Sequence, residues 1–144
     1  VKDSLLKSGM SDKTQPPKIE SRSLIRRWGG DESVFADGFV AVPSLLLKNM
    51  SSIGDDGITP SEAIFILHVM AFKWDEENPY PSYRRIADRM GISEVYARKI
   101  ARSLDNKKLL ERQQREGTTN KFNLTPLFER LAEMGEEIEP SLPF

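Results

Sequence analysis

The sequence predicts a mainly α domain closed by one small β-hairpin, and three observations carry that prediction. Apolar residues recur at helical spacing in several short runs between Leu45 and Leu131. Those runs open on residues that start helices: Pro43, Thr59-Pro60, Ser82, Ser93 and Thr125-Pro126. Between Leu109 and Leu124 the helical period gives way to two polar, strand-like stretches around Glu116-Gly117-Thr118, the pattern of a hairpin.

In chain order, residues 1–34 read as a flexible N-terminal segment, with Pro16-Pro17, Gly29-Gly30 and scattered Ser and Lys. The exception is Leu24-Ile25-Arg26-Arg27-Trp28, a short basic and apolar patch, expected to dock as a helix because an indole is costly to leave in water. Residues 35–135 form the predicted domain. Phe39, Val40 and Val42 lead into Pro43 at a first helical position, with Leu45, Leu46 and Leu47 as anchors. A Ser-, Gly- and Asp-rich loop, Ser51 to Gly57, follows. Thr59-Pro60-Ser61-Glu62 reads as a capping box for a helix running to about Lys73. Its main face is Ile64, Leu67, His68 and Ala71, broadened by Phe65, Ile66, Val69 and Phe72, so burial over most of its circumference is expected. Trp74 and Asn78-Pro79-Tyr80-Pro81 end it.

Ser82 then caps a helix from Tyr83 to Met90, with Ile86, Ala87 and Met90 inward, and Gly91 supplies a left-handed C-terminal residue. Ser93 caps the next helix, Glu94 to Asn106, whose inward stripe is Ala97, Ile100, Ala101 and Leu104. The hairpin should be held at its base by Leu110, Phe122 and Leu124. A last helix opens at Thr125-Pro126, with Leu127, Phe128 and Leu131 on its apolar side, and residues 136–144 form an acidic tail.

Composition removes several functional classes. With no cysteine, disulfides, thiolate catalysis and cysteine-ligated zinc are excluded. His68 is the single histidine, which excludes sites built on a histidine pair. Asp55-Asp56-Gly57 lacks the ligand spacing and closing Glu of a calcium loop, and Asp75-Glu76-Glu77 reads as a solvated loop. No phosphate-cradling glycine loop is present. No enzymatic activity, cofactor or metal is therefore expected. No apolar run approaches the eighteen or so residues of a membrane span and no secretory leader pattern opens the chain, so a cytoplasmic protein without a membrane partner is expected.

Charge is distributed unevenly. The net −1 conceals eleven Lys/Arg against five Asp/Glu in residues 83–124, between two acidic segments. A local excess of +6 points to an anionic partner for that segment. Two helices joined through a glycine-containing turn, with Ala87 four residues before Gly91, followed by a basic hairpin, give a winged helix-turn-helix.

Phe39-Val40-Ala41-Val42-Pro43, Pro81-Ser82, the run Ile86 to Ser93 and the run Asn120 to Leu127 resemble winged helix-turn-helix domains of bacterial, phage and plasmid proteins. These include replication-protein N-terminal domains and transcriptional regulators. The resemblance, over about residues 39–132, implies that the second helix of the unit enters a DNA major groove and that the hairpin lies along the backbone or minor groove. It places Ser93, Glu94, Val95, Tyr96, Arg98 and Lys99 near DNA, with Arg115, Thr118, Thr119, Asn120 and Lys121 on the wing; Ser82, Arg84 and Arg102, the last one turn from Lys99, complete the expected DNA-binding set. Glu94 and Val95 stand where small polar or basic residues are frequent in such domains.

Physical chemistry gives these residues matching roles. Arg and Lys attract phosphates, Ser93 and the amides of a helix N-terminus bind one, and first-turn side chains lie nearest the base edges. Glu94 can accept from a cytosine amino group or simply favour the helix dipole. Tyr96 can stack at the interface or be half-buried. The expected function is sequence-specific double-stranded DNA binding, in transcription regulation or in plasmid or phage replication. The alternative is a winged helix that binds protein, marked by an exposed apolar patch where the cations should gather. A homodimer is expected on a two-fold site, through Leu127, Phe128 and Leu131 or through the segment near Trp28.

Overall fold

The computed structural model of the chain describes residues 21–72, 81–113 and 121–136. Expectations that fall on Pro16-Pro17, Lys73, Trp74, the Asp75–Glu77 carboxylates, Asn78–Tyr80, the hairpin tip at residues 114–120 and the tail from residue 137 lie outside these residues.

The described chain falls into two units. The first, up to Ala41, contains α1 (Ser21–Trp28) and a 3-10 turn (Glu32–Phe35) that pack on each other. Asp31 caps the turn by accepting from the Ser33 N–H at 2.8 Å. Leu24 and Ile25 are half-buried, but Trp28 is 79% exposed rather than sheltered as expected. An eight-residue helix covers only a narrow stripe, and that stripe is taken by the two aliphatic residues.

The second unit begins at Val42 and holds the core. It comprises α2 (Ser44–Lys48), α3 (Pro60–Ala71), α4 (Tyr83–Met90), α5 (Glu94–Asn106), strands β1 (Glu111–Gln113) and β2 (Lys121–Asn123), and α6 (Thr125–Glu136). It is mainly helical with a two-stranded antiparallel sheet, as expected. Pro43 is the N-cap of α2 rather than its first residue, with extended backbone at ψ 133°, and the helix starts one residue later. Five residues can bury one side only, so Leu46 is in the core and Leu47 faces solvent.

The loop from Met50 to Ile58 is a structural element in its own right. The Ile58 N–H donates to the Met50 carbonyl at 2.7 Å, and Ile53 plugs the core with no exposed surface. Gly57 sits at φ 72°, and a Cβ there would stand 2.5 Å from the Ser51 carbonyl oxygen. Only glycine satisfies both the left-handed backbone and the close approach.

α3 starts on the predicted capping box. Thr59 Oγ1 accepts from the Glu62 N–H at 3.1 Å, and Glu62 Oε1 accepts from the Thr59 N–H at 2.8 Å. Its buried face differs from expectation: Glu62, Ala63, Phe65, Ile66 and Val69 point inward, while Ile64 is 43% exposed and Leu67, His68 and Ala71 are half-buried. A helix that is apolar nearly all round carries little periodic signal about which side the neighbours cover.

α4 and α5 follow the predicted boundaries. Ser82 and Ser93 cap them by accepting from the Arg85 and Tyr96 N–H groups at 3.1 and 3.0 Å. Gly91 at φ 72° ends α4, letting the Ile92 N–H reach the Ala87 carbonyl at 3.0 Å. The inward stripe of α5 is Ala97, Ile100, Ala101 and Leu104, as read from the sequence. The hairpin pairs Arg112 with Phe122 and is closed at its base by buried Leu110, Phe122 and Leu124. Phe122 meets Phe65 and Tyr83 edge-on, with ring centroids 5.8 and 5.5 Å apart. Arg112 Nε donates to Asp105 Oδ2 at 2.8 Å, tying β1 to α5. On α6, Leu127 and Leu131 belong to this unit's own core, so two of the three residues expected at a dimer seam are already used.

One charged residue is buried among the described residues: Glu62, 3% exposed. Lys107 Nζ donates to its Oε1 at 2.7 Å and to the Gly57 carbonyl at 2.8 Å, and Ser103 Oγ donates to its Oε2 at 2.7 Å. Burial pushes the Glu62 carboxyl pKa up. The hydrogen bonds from Lys107, the Thr59 N–H and Ser103, together with the Lys107 charge, outweigh burial and hold the pKa below the ordinary carboxylate value.

Lys107→Met strands a buried carboxylate and costs about 3 kcal/mol in urea unfolding, while adding Glu62→Gln restores much of that loss. Because the folded pKa of Glu62 is lowered, its stabilisation is present above the unfolded carboxylate value and disappears as pH falls through the folded one. Glu62→Gln therefore flattens the acid limb of stability against pH. Separately, Lys108 follows α5 at φ 60°, a left-handed position where the Leu109 N–H closes on the Leu104 carbonyl. Lys108→Gly removes that strain and raises the urea midpoint by an amount worth about 1 kcal/mol, with m unchanged.

Candidate nucleic-acid interface

The two caps and Gly91 set the geometry of the basic segment. α4 and α5 pack against each other across the short turn at Gly91, and α5 also packs on α3. With Ala97, Ile100, Ala101 and Leu104 inward, the outer face of α5 presents Glu94, Val95, Arg98, Lys99 and Arg102, all exposed. Val95, Lys99 and Arg102 fall in line at i, i+4 and i+7 along that face.

These side chains are not equally free. Arg98 donates to Glu94 Oε1 at 2.8 Å, and its guanidinium carbon lies 4.8 Å from the centroid of the Tyr83 ring. One cation of the face is thus neutralised and turned back toward α4. Tyr96 donates through its hydroxyl to Ser61 Oγ at 3.3 Å, so it braces α5 against the first turn of α3 while remaining 41% exposed. Ser93 accepts the Tyr96 N–H, and its own proton is left to donate. Lys99, Arg102 and Arg84 make no ion pair among the described residues. All three are exposed.

On the hairpin, Lys121 is half-buried opposite Gln113. Arg115, Thr118, Thr119 and Asn120 lie outside the described residues, as does Gly117. The structure therefore gathers Glu94, Val95, Arg98, Lys99 and Arg102 on one face of α5 and leaves the tip of the hairpin an expectation.

Two features were not read from the sequence. One is an apolar element at the head of α5: Val95 is 77% exposed, beside half-exposed Tyr96. Val95 was legible as outward-facing, but its exposure depends on how α5 is rotated against α3. The other is a pair of arginines on α4. The guanidinium carbons of Arg85 and Arg89 lie 4.9 and 4.4 Å from the centroid of the Phe72 ring, at the end of α3. Their i, i+4 spacing is visible in the sequence, whereas the shared aromatic ring is not.

His68 lies on the same helix as Phe72, one turn earlier, half-buried. Burial, and then the positive charge of Arg89, hold its pKa below the ordinary imidazole value. Among the described residues no group of three or more His, Asp or Glu side chains comes together as a metal site, and no helix is long and apolar enough to cross a membrane.

Comparison with curated proteins gives no match. Among solved structures, the N-terminal domain of the DnaD protein from Geobacillus kaustophilus HTA426 is similar, with a TM-score of 0.57 and 24% identity, covering 83% of this chain and 93% of that one. At that identity the likeness is one of fold. The DnaD N-terminal domain family matches residues 42–140, which takes in every element from α2 to α6. By that match over most of its length, the chain belongs to the DnaD N-terminal domain family, a family of replication-initiation domains.

Proposed function

We propose that the chain is a non-enzymatic DNA-binding domain of replication initiation. In this reading α4 and α5 form a helix-turn-helix, α5 faces the major groove of double-stranded DNA, and the β1–β2 hairpin serves as its wing. The observation that carries it is the outer face of α5, where Lys99 and Arg102 stand exposed and without an ion pair among the described residues, inside a segment with a +6 charge excess. Family membership supports the replication half of the expected function rather than transcription regulation. Arg84 and the proton of Ser93 add phosphate contacts at the two helix starts. Sequence preference falls to Val95 and Lys99, since the first-turn residue Glu94 is engaged with Arg98.

A second reading has its own observation. Val95 and Tyr96 are both substantially exposed, which suits a protein partner at the head of α5. For the homodimer, the surviving contributors are Phe128, 39% exposed, and the segment near Trp28. Sedimentation equilibrium across a hundredfold range of concentration tests it, and a constant monomer mass removes it.

The readings separate by salt. Duplexes selected from a random library should bind with an affinity that falls steeply as salt rises, and Lys99→Ala with Arg102→Ala should reduce the log–log slope by roughly 2, near 0.9 per phosphate contact. Val95 and Lys99 substitutions should alter preference among duplexes by about 1–3 kcal/mol per base pair. Glu94→Gln should strengthen binding by releasing Arg98. Salt-independent binding, or none to any duplex while Val95→Asp disrupts a protein complex, favours the protein-binding reading.

A further inference from the structure

Arg85 and Arg89 sit one turn apart on α4 and share a single aromatic ring, Phe72, so their guanidinium carbons are at most about 9 Å apart. Both are exposed, and neither makes an ion pair or a side-chain hydrogen bond among the described residues. Like charges at this spacing repel on a helix. The cation–π contact with Phe72 holds them there without neutralising them, and Phe72 is itself packed against the core. A third titratable group, His68, lies within reach of the Arg89 charge. The fold thus gathers two cations against the single Asp88 carboxylate on a rigid plate, a net positive site among the described residues, where flexible arginines in water would separate. The nearest acidic residue in sequence is Asp88, which lies between the two arginines on α4, exposed and without an ion pair among the described residues; Asp75–Glu77 lie outside the described residues.

We propose that Arg85 and Arg89, seated on Phe72, form a phosphate clamp for a nucleic-acid backbone, separate from the face of α5. Two planar guanidinium forks, with no side-chain hydrogen bond among the described residues, match phosphodiester oxygens better than they match isolated carboxylates, because neighbouring phosphates on a strand recur at short, regular intervals. The Phe72 ring is covered by the two guanidiniums, so the site grips backbone and does not stack bases. It therefore takes single- and double-stranded nucleic acid alike, without sequence preference. It does not depend on α5 entering a groove.

The test uses the full chain, with a single-stranded hexadeoxynucleotide, a duplex and poly-glutamate as probes. Because His68 is the only histidine, its imidazole gives one resolved NMR signal beside the clamp. The oligonucleotide should move that signal, and poly-glutamate should not. Arg85→Ala with Arg89→Ala should lower the log–log salt slope by about 2 for both strand forms, whereas the corresponding Lys pair should keep most of it. Should the Ala pair fail to fold by circular dichroism, the wild-type His68 response decides. An unmoved His68 signal, an unchanged slope in the Ala pair, or a response to poly-glutamate alone overturns the clamp. Loss with Lys99→Ala and Arg102→Ala but not with the Arg85 and Arg89 changes upholds α5 and removes the clamp; the reverse removes the α5 reading only.

Discussion

The Glu62 carboxylate is the constraint on which the core unit is arranged. It stands in the first turn of α3, where it completes a capping box, and is then closed off by Lys107 and Ser103 from the far end of α5. A buried carboxylate is tolerated only when its oxygens are fully engaged, and here both are. Lys107 also holds the Gly57 carbonyl, so one ammonium links the loop from Met50 to Ile58, the start of α3 and the end of α5. The apolar contacts between these helices are non-directional and allow some rotation. The hydrogen-bonded charge pair does not, and it fixes how the end of α5 sits against the start of α3.

Within the core, Phe122 does a comparable job for the hairpin. The three-residue strands offer few ladder bonds, too few to hold a hairpin alone. Its anchorage comes instead from Phe122 set edge-on between Phe65 and Tyr83, and from the Arg112–Asp105 bond. Each aromatic contact is worth about 0.5–1.5 kcal/mol beyond the area it buries. The base of the hairpin is thereby fixed to α3, α4 and α5 together, and the direction of its two strands follows from the same packing that orients α5.

The basic segment looks uniform in sequence and is not uniform in space. Lys107 is spent inside the core, Arg112 on the hairpin and Arg98 on Glu94. Arg85 and Arg89 are gathered on Phe72, while Lys99 and Arg102 stand on α5. A charge count over residues 83–124 measures the attraction for an anion, but where the anion sits depends on which cations the fold has left uncommitted.

Much of this was legible in the chain because it is local. Serine and threonine caps, the proline at the start of α3 and Gly91 act on backbone groups within four residues, so the bounds of α4 and α5 and the inward stripe of α5 follow from order alone. Where the signal was not periodic, the sequence could not decide. α3 is apolar on nearly every side, so its buried face was settled by the neighbours that pack against it, and Ile64 came out exposed. Ile53 and Glu62 look like loop and cap residues, and only the return of α5 over them makes one a core plug and the other a buried anchor. The same holds for Leu127 and Leu131, whose stripe was equally suited to a partner or to the domain's own interior. Local order sets the elements because their hydrogen bonds close over a few residues; tertiary structure alone chooses among equivalent apolar faces and pairs charges that lie more than forty residues apart.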